Sequence, residues 1–335
     1  MNPRIQVDYT RGPLVESHHF VHAFWMDENG QVMRSWGDPD RVVCPRSALK
    51  PLQAIPLAMS GAYQNSPDAP KALSIACASH WGQDRHVNFV REWLPMLGKT
   101  ENDLICGAEE PEGFARIQEI VQKKIPLGRA FNNCSGKHTG MIACCQKQGW
   151  DQAHYAAWDH PLQVMIRQVC TRLSGLDWDQ APYGIDGCGL PNYFVPMSAM
   201  GQAIRHFLNP DQTPYGPAMH ALLSAWKAEP YMMGGTGDVA SELAHLTRGR
   251  VLAKVGAQGN YIAMDFRQKR ILVLKVEDGA TKASDESLLA LLSQAQSISD
   301  DELRALRRFV PGDVRNWAGE VVGQVRVHAE SSQSL

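Results

Sequence analysis

The apolar pattern changes character along the chain. Near the N-terminus, His19–Asp27 is rich in Phe, Val and Trp, Glu28-Asn29-Gly30 signals a turn, and Gln31–Trp36 reads as the returning strand. Pro45-Arg46-Ser47-Ala48-Leu49-Lys50 then opens a helix towards Met59. Pro51 and Pro56 fit it only near a helix start or with local distortion. The run Lys71–Ser79 is apolar enough for a buried strand or a buried helix, and spacing alone does not choose. His86–Leu97, Phe114–Lys124, Thr139–Gln148, His160–Leu173 and Ser198–Phe207 carry helical spacing. Strand signals return in the last third. Arg250–Lys254 and Tyr261–Phe266 flank Gly256-Ala257-Gln258-Gly259, and Arg270–Glu277 alternates. Helices follow over Ser284–Gln294 and Asp300–Phe309, the second capped by Ser299 or Asp300, with a last strand over Val321–Val327. Strands at both ends and helices between predict one α/β (α+β) domain over 1–335. Its sheet comes from 1–46 and 240–335, and a mainly helical lobe from 47–239.

A chain of 335 residues with 44% apolar content buries roughly three quarters of its unfolded surface. Its 33 basic and 35 acidic residues nearly cancel, which gives no reason to expect nucleic acid or an anionic membrane as partner. Asp8 and Arg11 interrupt any secretory leader, and no run is long enough to span a bilayer. The expected compartment is the cytoplasm. The eight cysteines are then expected as thiols or metal ligands, and no CxxC pair forms a zinc knuckle. The acidic pairs Glu109–Glu110 and Asp27–Glu28 read as solvated surface.

Four groups of residues carry candidate chemistry. In Ser47-Ala48-Leu49-Lys50 a helix would put hydroxyl and amine on one face. A neutral amine can take a hydroxyl's proton, and burial beside positive charge favours the neutral form. The pattern is common, and Ser224-Ala225-Trp226-Lys227 repeats it in this chain without suggesting chemistry. Ser79-His80, followed by His86, fits a pocket wall or an ordinary loop. Cys134-Ser135-Gly136-Lys137-His138 and Asp186-Gly187-Cys188-Gly189 set two cysteines beside glycines, where two thiolates could hold zinc with His138 as the usual third ligand. Buried apolar thiols are the plain alternative. Lys137 ligates only after losing a proton. Gly234-Gly235-Thr236-Gly237-Asp238 and Gly256-Ala257-Gln258-Gly259 match no phosphate loop; they fit equally turns that offer backbone N–H groups to a small anionic ligand and tight turns with no ligand, with Lys254 just before the second.

Taken together, Arg11–Ser17, Arg46–Ala54, Ser74–His80, Asn133–His138, Asp186–Pro191 and Lys254–Gly259 occur in an order that resembles the rhizobial-type (type II, thermolabile) bacterial L-asparaginases, over nearly the whole chain. The resemblance implies a fold like serine β-lactamases and their glutaminase relatives, with a mostly antiparallel sheet, flanking helices and a helical lobe. It implies two Ser–Lys pairs, Ser47 with Lys50 and Ser79 with Lys254. It implies Zn2+ on Cys134, Lys137 and Cys188, so that Lys137 replaces His138 as the expected ligand, and it implies a homodimer. Substrate contacts are expected from Arg46, His80, Lys137, His138 and Gly187. Gln258 stands where the family usually has glutamate.

The expected reaction is hydrolysis of the side-chain amide of L-asparagine to L-aspartate and ammonia through a serine acyl-enzyme. An L-glutaminase or related amidase differs by a methylene, worth only about 1–3 kcal/mol in discrimination. A β-lactam or peptide hydrolase would leave Cys134 and Cys188 without a purpose. A zinc-stabilised amino-acid-binding protein without turnover is the alternative of a different class.

Overall fold

The computed structural model describes residues 2–329; the end of the expected sheet lobe, residues 330–335, lies outside them. Contacts group the chain into two units. One holds the chain up to Ala48, Phe194–Asn209 and the chain from Gly237 onward; the other holds Leu49–Tyr193 and Pro210–Thr236.

The first unit is built on an antiparallel sheet of β1 (Ile5–Arg11), β2 (Leu14–Asp27), β3 (Val32–Trp36), β4 (Val251–Gly256), β5 (Asn260–Asp265), β6 (Arg270–Val276), β7 (Asp313–Arg315) and β8 (Val321–His328). Their order is β7-β8-β1-β2-β6-β5-β4, with β3 also on β2. The length of β2 explains this arrangement. Its first half pairs with β1 (Ile5 opposite Val21), and its second half with β3 (Ala23 opposite Trp36). Along its other edge, residues 21–27 pair with β6 (Leu274 opposite Ala23).

Alternation sends Val21, Ala23 and Trp25 to one face, where they join Leu272, Leu274 and Tyr261 in a buried core. The helices Val239–Leu246 and Thr281–Gln294 cover this face with Leu243, Leu288, Leu289 and Leu292. On the other face Phe24 lies under the helix Met197–Ile204, so close that a Cβ on Gly201 would sit 3.0 Å from its ring. With both faces covered, the central strands read as almost continuous apolar runs. The antiparallel sheet with flanking helices is the class expected from the sequence.

The second unit is helical. The run from Arg46, which enters this unit at Leu49, is broken at each proline: a 3-10 turn over Arg46–Leu49, a short helix Lys50–Gln53, then Ile55–Ser60, with proline in the first turn of both helices. The ambiguous apolar stretch is a helix, Ala69–Ala76. Asp68 starts it by accepting from the Lys71 N–H, with Pro70 in the first turn. At the centre runs Ser135–Gln148, with eleven buried residues on all sides. It packs on Ala69–Ala76, Ile55–Ser60 and the helix Asp84–Met96. Gly136 permits the first of these contacts, because a Cβ there would lie 2.7 Å from the Ile75 carbonyl oxygen. Gly136→Ala is therefore expected to lower stability by about 1–3 kcal/mol. A denaturant midpoint unchanged from wild type would show that the helices separate without cost.

No helix among the described residues is long and apolar enough to cross a membrane. No disulfide links the eight cysteines.

Candidate active site

Within the helical unit, Lys50 is almost wholly buried at 1% exposure. Its Nζ donates to the Ala78 carbonyl oxygen and, at 3.0 Å, to Ser79 Oγ. Burial leaves a lysine amine only the partners the fold supplies, so the fold aims this one at the Ser79 hydroxyl. Ser79 is held from both sides. It follows the end of the helix Ala69–Ala76 in an extended segment, where Ser79 N–H bonds to Met233 O (2.9 Å), His80 N–H to Asn133 O (3.2 Å) and Trp81 N–H to Gly234 O (2.8 Å). One of the glycine-rich segments noted in the sequence is thus a backbone clamp on the segment that carries the serine.

His80 itself is fully engaged. Its Nε2–H donates to Ser135 Oγ (2.9 Å), which in turn donates to Ala130 O, and its Nδ1 accepts from Gly82 N–H (3.2 Å). The ring stacks on His86 at 4.7 Å. Burial first, then His86 and Lys50, hold its pKa well below the usual histidine range. As folded, His80 has no ring nitrogen left for a substrate.

Cys134, Lys137 and Cys188 converge in the same unit. The two sulfurs share a hydrogen bond, and Lys137 Nζ donates to Cys188 Sγ at 3.2 Å. Cys134 Sγ also lies 3.0 Å from Asn133 Oδ1. Cys134 is drawn well below its ordinary pKa by the Cys188 hydrogen bond, against burial, with help from Lys137 and Lys50. Cys188 is pushed up by the same bond and by burial. Burial works against the Lys137 ammonium, but Cys134 and Cys188 outweigh it and raise its pKa. The loop ahead of Cys134 is pinned by an Asx turn, Asn132 Oδ1 accepting from Cys134 N–H (2.9 Å), and by Asn132 Nδ2 donating to Cys106 O (3.0 Å). Glu109 receives Asn133 N–H at 3.0 Å and Asn133 Nδ2–H at 3.2 Å. It is exposed, as its acidic surroundings suggested, yet it braces the loop that carries Cys134.

His138, beside Lys137, is fully buried, and burial first, then Lys137 and Lys50, keep its pKa well below the usual range. Tyr155 Oη accepts from Ile105 N–H (3.1 Å), so its single proton goes to His138 Nδ1 at 2.8 Å. Neutral His138 then carries its proton on Nε2, and that atom has no partner. A buried orphan donor marks a place where a polar group is expected, and in this tautomer the ring has no lone pair for a metal.

No group of three or more His, Cys, Asp or Glu side chains among the described residues is arranged to hold a metal. Two sulfurs and an amine do converge, and that donor set fits a soft-to-borderline cation once Lys137 gives up its proton. Asp186, in the same loop as Cys188, accepts from Asn192 (2.9 Å) and from Gly187 N–H (2.6 Å), which leaves Gly187 exposed in a fixed turn.

The sheet unit holds the other candidates. Ser47 lies in the turn Arg46–Leu49, which Arg46 enters with a left-handed φ of 51°. The turn rests on the end of β4: a Cβ on Gly256 would lie 2.4 Å from Pro45 O. Lys254, two residues earlier on β4, is 2% exposed and donates to Val255 O at 2.8 Å. Gln258 adopts a left-handed φ of 62° in the β4–β5 turn, with its side chain over Gly279. Tyr155 and Asn132 were not singled out in the sequence, Ser135 entered only as part of the cysteine motif, and Glu109 only as solvated surface. Only Asn132, as a turn former before a helix, carried a local signal.

The family model described as L-asparaginase II matches residues 7–327, and the chain belongs to that family. It is an enzyme, an L-asparaginase, whose small-molecule substrate is L-asparagine and whose reaction is hydrolysis of that amide. Comparison with curated proteins gives no match. Among solved structures, the chain is similar to a β-lactamase from Mycobacterium bovis, with 14% identity over 82% of this chain and 94% of that one, at a TM-score of 0.41. A likeness that distant carries no argument about chemistry.

Proposed function

We propose that L-asparagine is hydrolysed through a serine acyl-enzyme. Ser47 attacks the side-chain carboxamide carbon while Lys50, as the free amine, takes the hydroxyl proton. The C–N bond breaks as that proton passes to departing ammonia. Water then attacks the aspartyl ester, returning a proton to Ser47, and L-aspartate leaves. Ser79 and Lys254 serve as the second relay, and the orphan Nε2–H of His138 is a donor for the bound substrate. The observation that carries this reading is the buried Lys50 Nζ, 3.0 Å from a serine hydroxyl. Because that hydroxyl belongs to Ser79, a second reading makes Ser79 the nucleophile.

Rapid acid quench during turnover, followed by peptide mapping, is expected to find the aspartyl ester on Ser47. An ester on Ser79 selects the second reading, and no ester on either serine ends both.

Cys134, Cys188 and Lys137 would hold zinc, which supplies a positive centre for orienting the substrate; two thiolates weaken it as a Lewis acid. Elemental analysis of the same preparations is expected to give about one zinc per chain, and fully active zinc-free protein would remove the metal from the site. The resemblance also supports a cytoplasmic homodimer, for which sedimentation of the purified protein and cell fractionation are the checks.

A further inference from the structure

A cavity of about 320 Å³ lies in the sheet unit, between β1, β7, β8, the first turns of the helix Thr281–Gln294 and residues 309–311. Small-molecule sites begin at about 300 Å³. Its walls are mainly apolar: Phe309, Val310, Pro311, Val314, Val325 and the Tyr9 ring.

The charged groups in the lining separate into those already satisfied and those that are not. Glu286 holds Arg307 at 2.5 Å, and Asp313 holds Arg315 at 2.9 Å. Two remain, both on one helix. Asp285 receives a hydrogen bond from the Tyr261 hydroxyl and has no cation within ion-pair distance among the described residues; burial pushes its carboxyl up to about 7. Lys282 is exposed at the helix start and makes no hydrogen bond or ion pair among the described residues. Residues three apart on a helix share a face, so a carboxyl group without a cation and an ammonium without an anion stand one turn apart beside an apolar wall.

A simple amine would satisfy Asp285 but meet the Lys282 charge. A simple anion would satisfy Lys282 but meet Asp285, Glu286 and Asp313. A zwitterion with an apolar body meets every feature. We propose that this cavity binds a free α-amino acid with an apolar side chain, its ammonium on Asp285, its carboxylate on Lys282, and its side chain against Phe309, Val310 and Pro311. None of these residues belongs to the Lys50 centre, so the inference does not rest on the reaction proposed above.

The test is calorimetric titration of the full chain with three probes of one shape: L-phenylalanine, phenethylamine and 3-phenylpropionate. L-Phenylalanine is expected to bind saturably, and each singly charged probe about tenfold more weakly or worse. Lys282→Gln, at an exposed position, should weaken L-phenylalanine severalfold and leave phenethylamine unchanged or tighter. Asp285→Asn should weaken both by about tenfold or more, the loss that follows removal of a charged hydrogen-bond partner. Absence of saturable L-phenylalanine binding overturns the proposal, and so does binding that survives Lys282→Gln unchanged. The second criterion stands even if Asp285→Asn fails to fold. Turnover of L-asparagine, measured alongside, bears on the acyl-enzyme reading alone, so the two fail separately.

Discussion

Lys50→Met is expected to lower kcat for L-asparagine by about 10³-fold, with little change in KM and no loss of thermal stability. The side chain is 1% exposed and ends on Ser79 Oγ and the Ala78 carbonyl. A positioned general base contributes about 10²–10⁴-fold. Methionine keeps the length and most of the volume of the stem, so packing is retained. It also removes the cost of placing an ionisable group in the interior, which is often a gain in stability. The kinetic pattern matters as much as the magnitude. A residue that only bound substrate would raise KM at constant kcat, whereas a proton acceptor used in the transition state lowers kcat. The supporting result is a folded, substrate-binding and nearly inert protein in a steady-state assay paired with a melting curve. A Lys50→Met enzyme within tenfold of wild-type kcat would remove the amine from the chemistry and the proposed mechanism with it.

The sheet was legible where its strands alternate between turn signals. The hairpin around Gly256–Gly259, the strand Arg270–Val276 and the last strand from Val321 follow the expected bounds closely. Strand β1 was not foreseen, although Ile5 and Val7 alternate inward, because Gln6, Asp8, Thr10 and Arg11 make most of the segment polar and the buried positions beyond Val7 are Asp8 and Thr10. Strand β2 begins five residues earlier than expected, since Leu14–His18 is exposed and carries no burial pattern. The Lys71–Ser79 ambiguity was decided by a cap, Asp68, and by Pro70 in the first turn, both outside the apolar run itself. For the site, spacing suggested Ser47 beside Lys50. The hydroxyl that the Lys50 amine meets is 29 residues away in sequence, delivered by a segment clamped between Met233–Gly234 and Asn133. No local pattern encodes that. The preference for Lys137 over His138 as a metal ligand came from resemblance alone. A physical ground for it is that Tyr155 spends its only proton on His138 Nδ1 and so fixes the tautomer.

His86 gives a large expected effect of pH on stability. It is fully buried in the helix Asp84–Met96, with Nδ1 accepting from Gln83 N–H (3.2 Å) and Nε2–H donating to Tyr231 O (2.8 Å). Both nitrogens are used by the neutral ring, and adding a proton to Nδ1 would break the capping bond from Gln83. Burial is the main cause of a pKa lowered from 6.5 to about 4. Between those values the unfolded chain binds a proton at this residue and the folded chain does not. The stability His86 lends is therefore complete above about pH 6.5, declines as pH falls through the window, and is gone below about pH 4. Two and a half pH units at about 1.4 kcal/mol each amount to about 3 kcal/mol. The whole-protein profile does not isolate this, because Asp285, raised to about 7, acts in the opposite sense over the same range: it binds its proton more tightly when folded and adds stability as pH falls. The comparison must therefore be with a variant. His86→Gln, which can still offer one donor and one acceptor, should be less stable than wild type at pH 7.5. Its deficit in urea unfolding should shrink by about 3 kcal/mol on going to pH 4. A deficit that stays constant with pH would mean that the folded protein accepts the proton at His86 without penalty, and that the His80–His86 stack is not the dry, neutral wall behind Ser79 that its burial implies.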